Sequence, residues 1–202
     1  MNTMTKRRDF LKTAPMLVAG SVVGNSILSG CGSSSSGGGS TVAASKASEN
    51  HANSMKLAVG SDHAGYALKV RLLGDIKALG HEIIDMGSYD EAPVDFPDIA
   101  QKVCAAILNG EAQRGIMFCG TGVGAAIACN KIPGIRASVC HDIYSASQCV
   151  EHDDVQVMTL GAQVVGHSVA LEYIVRFLSA EFSTAEEFRR RVEKLNMMDR
   201  RE

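Results

Sequence analysis

A cysteine directly ahead of a glycine-rich turn, Cys119-Gly120-Thr121-Gly122-Val123-Gly124, carries the most chemical content in this sequence. Glycines between a strand and a helix let successive backbone N–H groups face an anion, and a developing oxyanion is one suitable guest. A thiol at that junction is expected to have a lowered pKa and to favour thiolate, with a buried structural cysteine as the alternative. The same residues satisfy the loose dinucleotide pattern Gly120-x-Gly122-x-x-Ala125. They belong to the third βα unit, however, and no second mononucleotide half follows. Asp62-His63 sets a carboxylate beside a titratable imidazole at a strand end, which suits proton transfer to and from sugar oxygens. A turn in which the aspartate caps a helix is the other reading. His152, ahead of Asp153-Asp154, is a second acid/base group or a helix C-cap, while His81 and His167 read as surface residues. With no HxH, HExxH or CxxC spacing, neither a metal site nor any other cofactor is expected.

These groups need strand ends to hold them, and the hydropathy pattern supplies five. Short β-rich runs at 56–60, 82–85, 115–119, 135–139 and 155–160 alternate with amphipathic runs at 66–79, 98–109, 123–130, 144–152 and 168–178. That alternation predicts a five-stranded parallel sheet in an α/β three-layer sandwich. Leu68, Leu72, Ile76 and Leu79 form a core-facing stripe, and Cys104, Cys129 and Cys149 read as core fillers within helices. An extra C-terminal helix over 184–197 is expected to start from Ser183 or Thr184 as N-cap, with Glu186 and Glu187 in its first turn.

Composition narrows the function classes. With 46% hydrophobic residues the 202-residue chain can fill a core, which excludes disorder over its whole length. Twenty basic against 22 acidic side chains, no Trp and four Tyr give neither the basic face nor the stacking aromatics of a nucleic-acid binder. The first 31 residues read as an address. Lys6-Arg7-Arg8-Asp9-Phe10-Leu11 ahead of a weakly apolar stretch resembles a twin-arginine export signal, and Leu28-Ser29-Gly30-Cys31 resembles a lipobox whose cysteine is lipidated. Residues 32–54 are a small, polar, flexible tether, and 55–202 form the folded domain. The expected location is the periplasmic or cell-envelope side, with the membrane touched only through a lipid on Cys31. Beyond Cys31 five cysteines remain, an odd number, so at least one stays free unless another chain or a small thiol takes it.

The ordered set Gly60-Ser-Asp62-His63-Ala-Gly65, Asp95-Phe96-Pro97, Cys119 to Gly124, Ala128-Cys-Asn130-Lys131 and Gly134-Ile-Arg136-Ala137 resembles the type B ribose-5-phosphate isomerase family. That family includes the galactose-6-phosphate isomerase subunits, and the resemblance runs from about residue 56 to 195. It implies a Rossmann-like sandwich acting as a homodimer with sites at the subunit boundary, and metal-free aldose–ketose isomerisation through an enediolate. It also maps roles onto residues. Cys119 becomes the proton-abstracting base, and Thr121 with the backbone of Gly120, Gly122, Val123 and Gly124 the oxyanion-stabilising element. Asp62 and His152 open the sugar ring, and His63 sits near the substrate's far end. Phe96, Asn130, Asp153 and Arg191 fall at substrate-binding positions.

The departures from the family pattern concentrate where it holds phosphate. Gly-x-Arg after the fifth strand is here Gly161-Ala162-Gln163, and the earlier of two arginines four apart in the last helix is Glu187, leaving Arg191. Asp153 replaces an asparagine, and Phe96 a tyrosine. Each lost charge-assisted phosphate contact removes roughly 1.5–3 kcal/mol. The expected substrate is therefore a small-molecule sugar that is non-phosphorylated or atypical, and a non-catalytic sugar-binding lipoprotein on the same scaffold is the alternative.

Overall fold

The computed structural model describes residues 54–199; the expected export signal, the lipidated Cys31 and the tether up to residue 53 lie outside the described residues. In chain order the elements are β1 (Lys56–Ser61), α1 (Tyr66–Ala78), β2 (Glu82–Asp85), α2 (Phe96–Leu108), β3 (Arg114–Cys119) and α3 (Val123–Cys129). There follow β4 (Ala137–Val139), α4 (Ile143–Asp153), β5 (Val157–Gly161), α5 (His167–Ser179) and α6 (Glu186–Met198). All strand pairs are parallel, in the order β2-β1-β3-β5-β4. The expected three-layer α/β sandwich is the observed one.

Strand side chains divide the core in two. Leu57, Val59, Ile116, Phe118, Met158 and Leu160 pack on one face against α1, α4 and α5. Ala58, Met117, Cys119 and Val157 pack on the other against α2 and α3. Because both faces are covered, the strands are apolar almost throughout rather than alternating, as parallel sheets require. Of the expected stripe, Leu68, Leu72 and Ile76 are buried, each contributing about 1.5–3 kcal/mol, while Leu79, the C-cap of α1, is only half-buried.

Several boundaries differ from the sequence expectation, and three of the differences have a clear local reason. Helix α2 begins at Phe96, not 98, because Pro97 fits a first helical turn that needs no N–H from it. Strand β4 is only three residues long, since the Ile135 N–H closes a turn onto Ile132 and the Arg136 N–H is taken by the Gln156 side chain. Helix α6 is capped by neither Ser183 nor Thr184. Its N-cap is Ala185, because the Ser183 N–H is drawn to the Glu151 carbonyl and its hydroxyl accepts from the Ala185 N–H.

Candidate active site

Helices α1 and α3 leave the neighbouring strands β1 and β3 on opposite faces of the sheet, opening a crevice at the carboxyl ends of these strands. In open α/β sheets ligands bind at such a switch point. Asp62 continues β1, its N–H donating to the Phe118 carbonyl at 3.1 Å, and Cys119 ends β3. Gly65 makes the approach possible, for a Cβ there would sit 2.3 Å from the carbonyl carbon and oxygen of Phe118. The Asp62 carboxylate, 4% exposed, accepts from the Gly65 N–H at 2.8 Å, which closes a turn onto the residue before α1 without capping that helix, and it faces the Cys119 thiol.

The environment of Cys119 corrects one expectation. Its pKa is raised, not lowered: burial is the main cause, and the Asp62 carboxylate adds to it by accepting the thiol proton and repelling a thiolate. The backbone N–H groups of Gly122 and Thr121 oppose this by donating toward the sulfur, and they are outweighed. Those donors remain well aimed at any negative charge that forms beside the sulfur.

The glycine loop is built around this purpose. Gly122 has a φ of +78°, a conformation that L side chains rarely adopt, and a Cβ on Gly161 would meet the Thr121 carbonyl carbon and oxygen at 2.8 Å. Thr121 Oγ1 accepts from the Val123 N–H at 3.3 Å, which leaves its own hydroxyl proton to donate outward. The Gly120 carbonyl accepts from Gln163 N–H at 3.0 Å, and the Cys119 carbonyl accepts from the Ala162 N–H at 2.8 Å. The Gln163 carboxamide therefore lies over the loop, 3.6 Å from where a Cβ on Gly120 would be. The Phe96 ring closes the rim against Gly124, whose Cβ would be 3.0 Å from it. His63 is exposed, its Nδ1 accepting at 3.4 Å from the Val94 N–H, which ties the loop after β1 to the loop after β2.

A second group of expected site residues is gathered elsewhere. His152 and Asp153 lie in the last turn of α4, beside Arg136, which precedes β4 and donates to the Asp153 and Asp154 carbonyls and the Asp154 carboxylate. They sit at the amino edge of the sheet, about 16 Å along a five-residue strand from the edge that holds Cys119. There the His152 ring stacks on Phe188 of α6 at 3.9 Å and shares a 2.7 Å hydrogen bond through Nδ1 with Gln148. The Arg191 guanidinium rests over the same Phe188 ring at 5.5 Å. Asn130 also belongs to this edge. Its amide donates to the Ala137 carbonyl at 2.8 Å and accepts from the Ala137 N–H at 2.9 Å, so it clamps the start of β4.

Other assignments shift as well. His81 and His167 are half-buried and partnered rather than free at the surface: His81 Nδ1 accepts from the Met55 N–H, and His167 pairs with Asp75 at 2.7 Å. Sequence reasoning missed Lys69, 1% exposed, whose ammonium donates to the Asp85 carboxylate and the Ser88 carbonyl at 2.6 Å each. This clamp fixes the loop that delivers Val94 and Phe96. The signal was available, since Lys69, Leu72 and Ile76 share one helical stripe. Among the described residues no cluster of three or more His, Cys, Asp or Glu side chains is placed to hold a metal ion.

Known proteins share both the sequence and the fold. Residues 57–195 match the family described as Ribose/Galactose Isomerase. Ribose-5-P isomerase B of Listeria innocua is 43% identical over 64% of this chain and 87% of its own length. Ribose-5-phosphate isomerase B of Escherichia coli is 38% identical over 72% and 97%. D-erythrulose-4-phosphate isomerase of Pectobacterium atrosepticum is 42% identical over 63% and 85%. The structure of the Clostridium thermocellum ribose-5-phosphate isomerase B is similar at a TM-score of 0.70 and 43% identity, covering 72% of this chain and 97% of that one. The match spans both edges of the sheet and every motif described above, and by it the chain belongs to the ribose/galactose isomerase family.

Proposed function

We propose that the chain is an aldose–ketose isomerase that interconverts a sugar whose far end carries no phosphate, with each site completed by a second copy of the chain. Cys119, as thiolate, removes the proton from C2 of the open-chain aldose. The electron pair moves into the C1–C2 bond and the carbonyl oxygen becomes the enediolate oxygen, held by the N–H groups of Gly122 and Thr121 and the Thr121 hydroxyl. A proton passes from the C2 hydroxyl to the C1 oxygen, and return of the proton from the Cys119 thiol to C1 then gives the ketose, so no external oxidant or reductant is needed. A sugar hydroxyl that engages Asp62 weakens the carboxylate's hold on the thiol proton, so the substrate itself favours the reactive thiolate. Asp62 and the His152 of the second copy open the ring.

One observation carries the substrate assignment. The loops that follow the five strands at the carboxyl edge contain no Lys and no Arg, but hold Asp62, Asp90, Glu91, Asp95 and Asp142. The nearest ammonium, on Lys69, is already paired with Asp85. A dianionic phosphate would be desolvated there without a cation from this chain, whereas the Gln163 amide and His63 suit hydroxyls. The second half-site keeps Arg191 but carries acidic Asp153 and Glu187 at the positions where the family pattern has Asn and Arg. The export and lipid-anchor reading of residues 1–31 agrees, since phosphorylated sugars are chiefly cytoplasmic.

Solvent-deuterium exchange into free pentoses and hexoses and into their phosphates tests this reading. Exchange into a free sugar that is lost in Cys119→Ala supports it. Preference for ribose 5-phosphate overturns the substrate assignment, and no exchange into any sugar favours a sugar-binding lipoprotein instead.

A further inference from the structure

The five cysteines of the described region are not scattered. Cys140, immediately after β4, and Cys149, on α4, are 0% and 4% exposed with their sulfurs 3.8 Å apart. Cys104 on α2 and Cys129 on α3 are both 0% exposed, and the Cys129 thiol donates to the Met117 sulfur at 3.8 Å. Cys119 ends β3 in the core on the other face of the sheet from Cys140 and Cys149. One pair of core positions has thus been filled with facing sulfurs, away from the cysteine that the proposed reaction needs free.

We infer that Cys140–Cys149 is a site of disulfide formation, oxidised by a thiol-oxidising disulfide, and that Cys119, on the other face of the sheet, stays a free thiol. The bridge would join α4 to the end of the edge strand β4. One cysteine thiolate attacks the oxidant's disulfide, forming a mixed disulfide and releasing one oxidant thiol. The partner thiolate then attacks the protein sulfur of that mixed bond, closing the bridge and releasing the second oxidant thiol. Two electrons and two protons pass to the oxidant for each bridge. Cys140 suits the first attack, because the hydrogen bond from Cys149 lowers its pKa. Access comes from local opening at β4, a three-residue strand at the sheet edge.

The inference goes beyond the isomerase reading and stands or falls separately. Purified full-length chain in detergent is incubated with excess oxidised glutathione, alkylated and mapped without reduction. The expected result is a linked 140–149 peptide, Cys119 alkylated, and a melting midpoint raised by on the order of 10 °C. Dithiothreitol should reverse the gain, and Cys149→Ala should lose both the bridge and the gain. Recovery of Cys140 and Cys149 as free thiols or as glutathione adducts, or any bridge that includes Cys119, overturns the inference.

Discussion

The two edges of the sheet are built by different means. At the carboxyl edge the backbone makes the site: Gly65 and Gly161 let main chains approach where any Cβ would collide, and Gly122 turns the loop so that its N–H groups meet the Cys119 sulfur. At the amino edge side chains do the holding. Arg136 gathers the end of α4 and Asn196 of α6, Arg114 donates to the Phe177 and Ala180 carbonyls, and Phe188 and Gln148 fix the His152 ring. The difference matches the chemistry proposed for each. Stabilising an enediolate needs donors that do not move, which a closely packed backbone supplies, whereas an imidazole proposed to give and take protons needs only a fixed orientation.

The largest effect expected at the carboxyl edge is that of Cys119→Ala, which should lower C2 proton exchange by about 10³–10⁴-fold with the melting midpoint nearly unchanged. Deuterium incorporation and calorimetry on one sample check this, and a large drop in stability would mean that the cysteine is chiefly structural. Asp85→Ala leaves the buried Lys69 ammonium unpaired and should cost about 3 kcal/mol in denaturant unfolding, because an uncompensated buried charge is expensive.

His152→Ala should slow turnover of a ring-forming pentose by about 10²-fold but leave an open-chain substrate much less affected. Equal losses with both substrates would blur the division of labour between the edges. Gln163→Arg puts a guanidinium over the glycine loop and should shift preference toward the phosphorylated sugar by about tenfold, read as a ratio of kcat/KM. The smallest change is in pH dependence. Because burial and Asp62 raise the Cys119 pKa and the base form is the thiolate, turnover should still be rising with pH beyond the ordinary thiol range. Asp62→Asn removes the second cause and should move that limb to lower pH with an open-chain substrate. The linked stability has the opposite trend. The folded state holds the thiol proton more tightly, so this contribution is present below the ordinary thiol pKa and is lost as pH climbs through the raised one.

Legibility in the sequence followed the same division. The carboxyl edge was readable because its residues are contiguous: Cys119 to Gly124 and Asp62-His63 are short runs whose glycines and polar groups signal a tight strand-to-helix turn. The strands themselves were readable because burial on both faces leaves unbroken apolar runs. The sign of the Cys119 shift was not, since it depends on Asp62, 57 positions away, being brought into contact by the glycine at 65. Nor was the place of His152, Asp153 and Asn130 at the far edge. The resemblance gave them roles at a subunit boundary without saying which edge of one sheet holds them, and antiparallel packing of α3 and α4 on the strands carries their C-terminal ends to the side opposite Cys119. The facing of Cys140 and Cys149 was hidden as well, because nine positions separate them and no CxxC spacing marks the contact.

Subunit complementation bears most directly on the claim that the two edges form one site across copies. Cys119→Ala and His152→Ala variants are each measured alone and after mixing with subunit exchange. Hybrid dimers would carry one site with both defects and one with neither, so the mixture should recover about a quarter of wild-type turnover of a ring-forming sugar. Activity no greater than the sum of the separate variants would contradict the account.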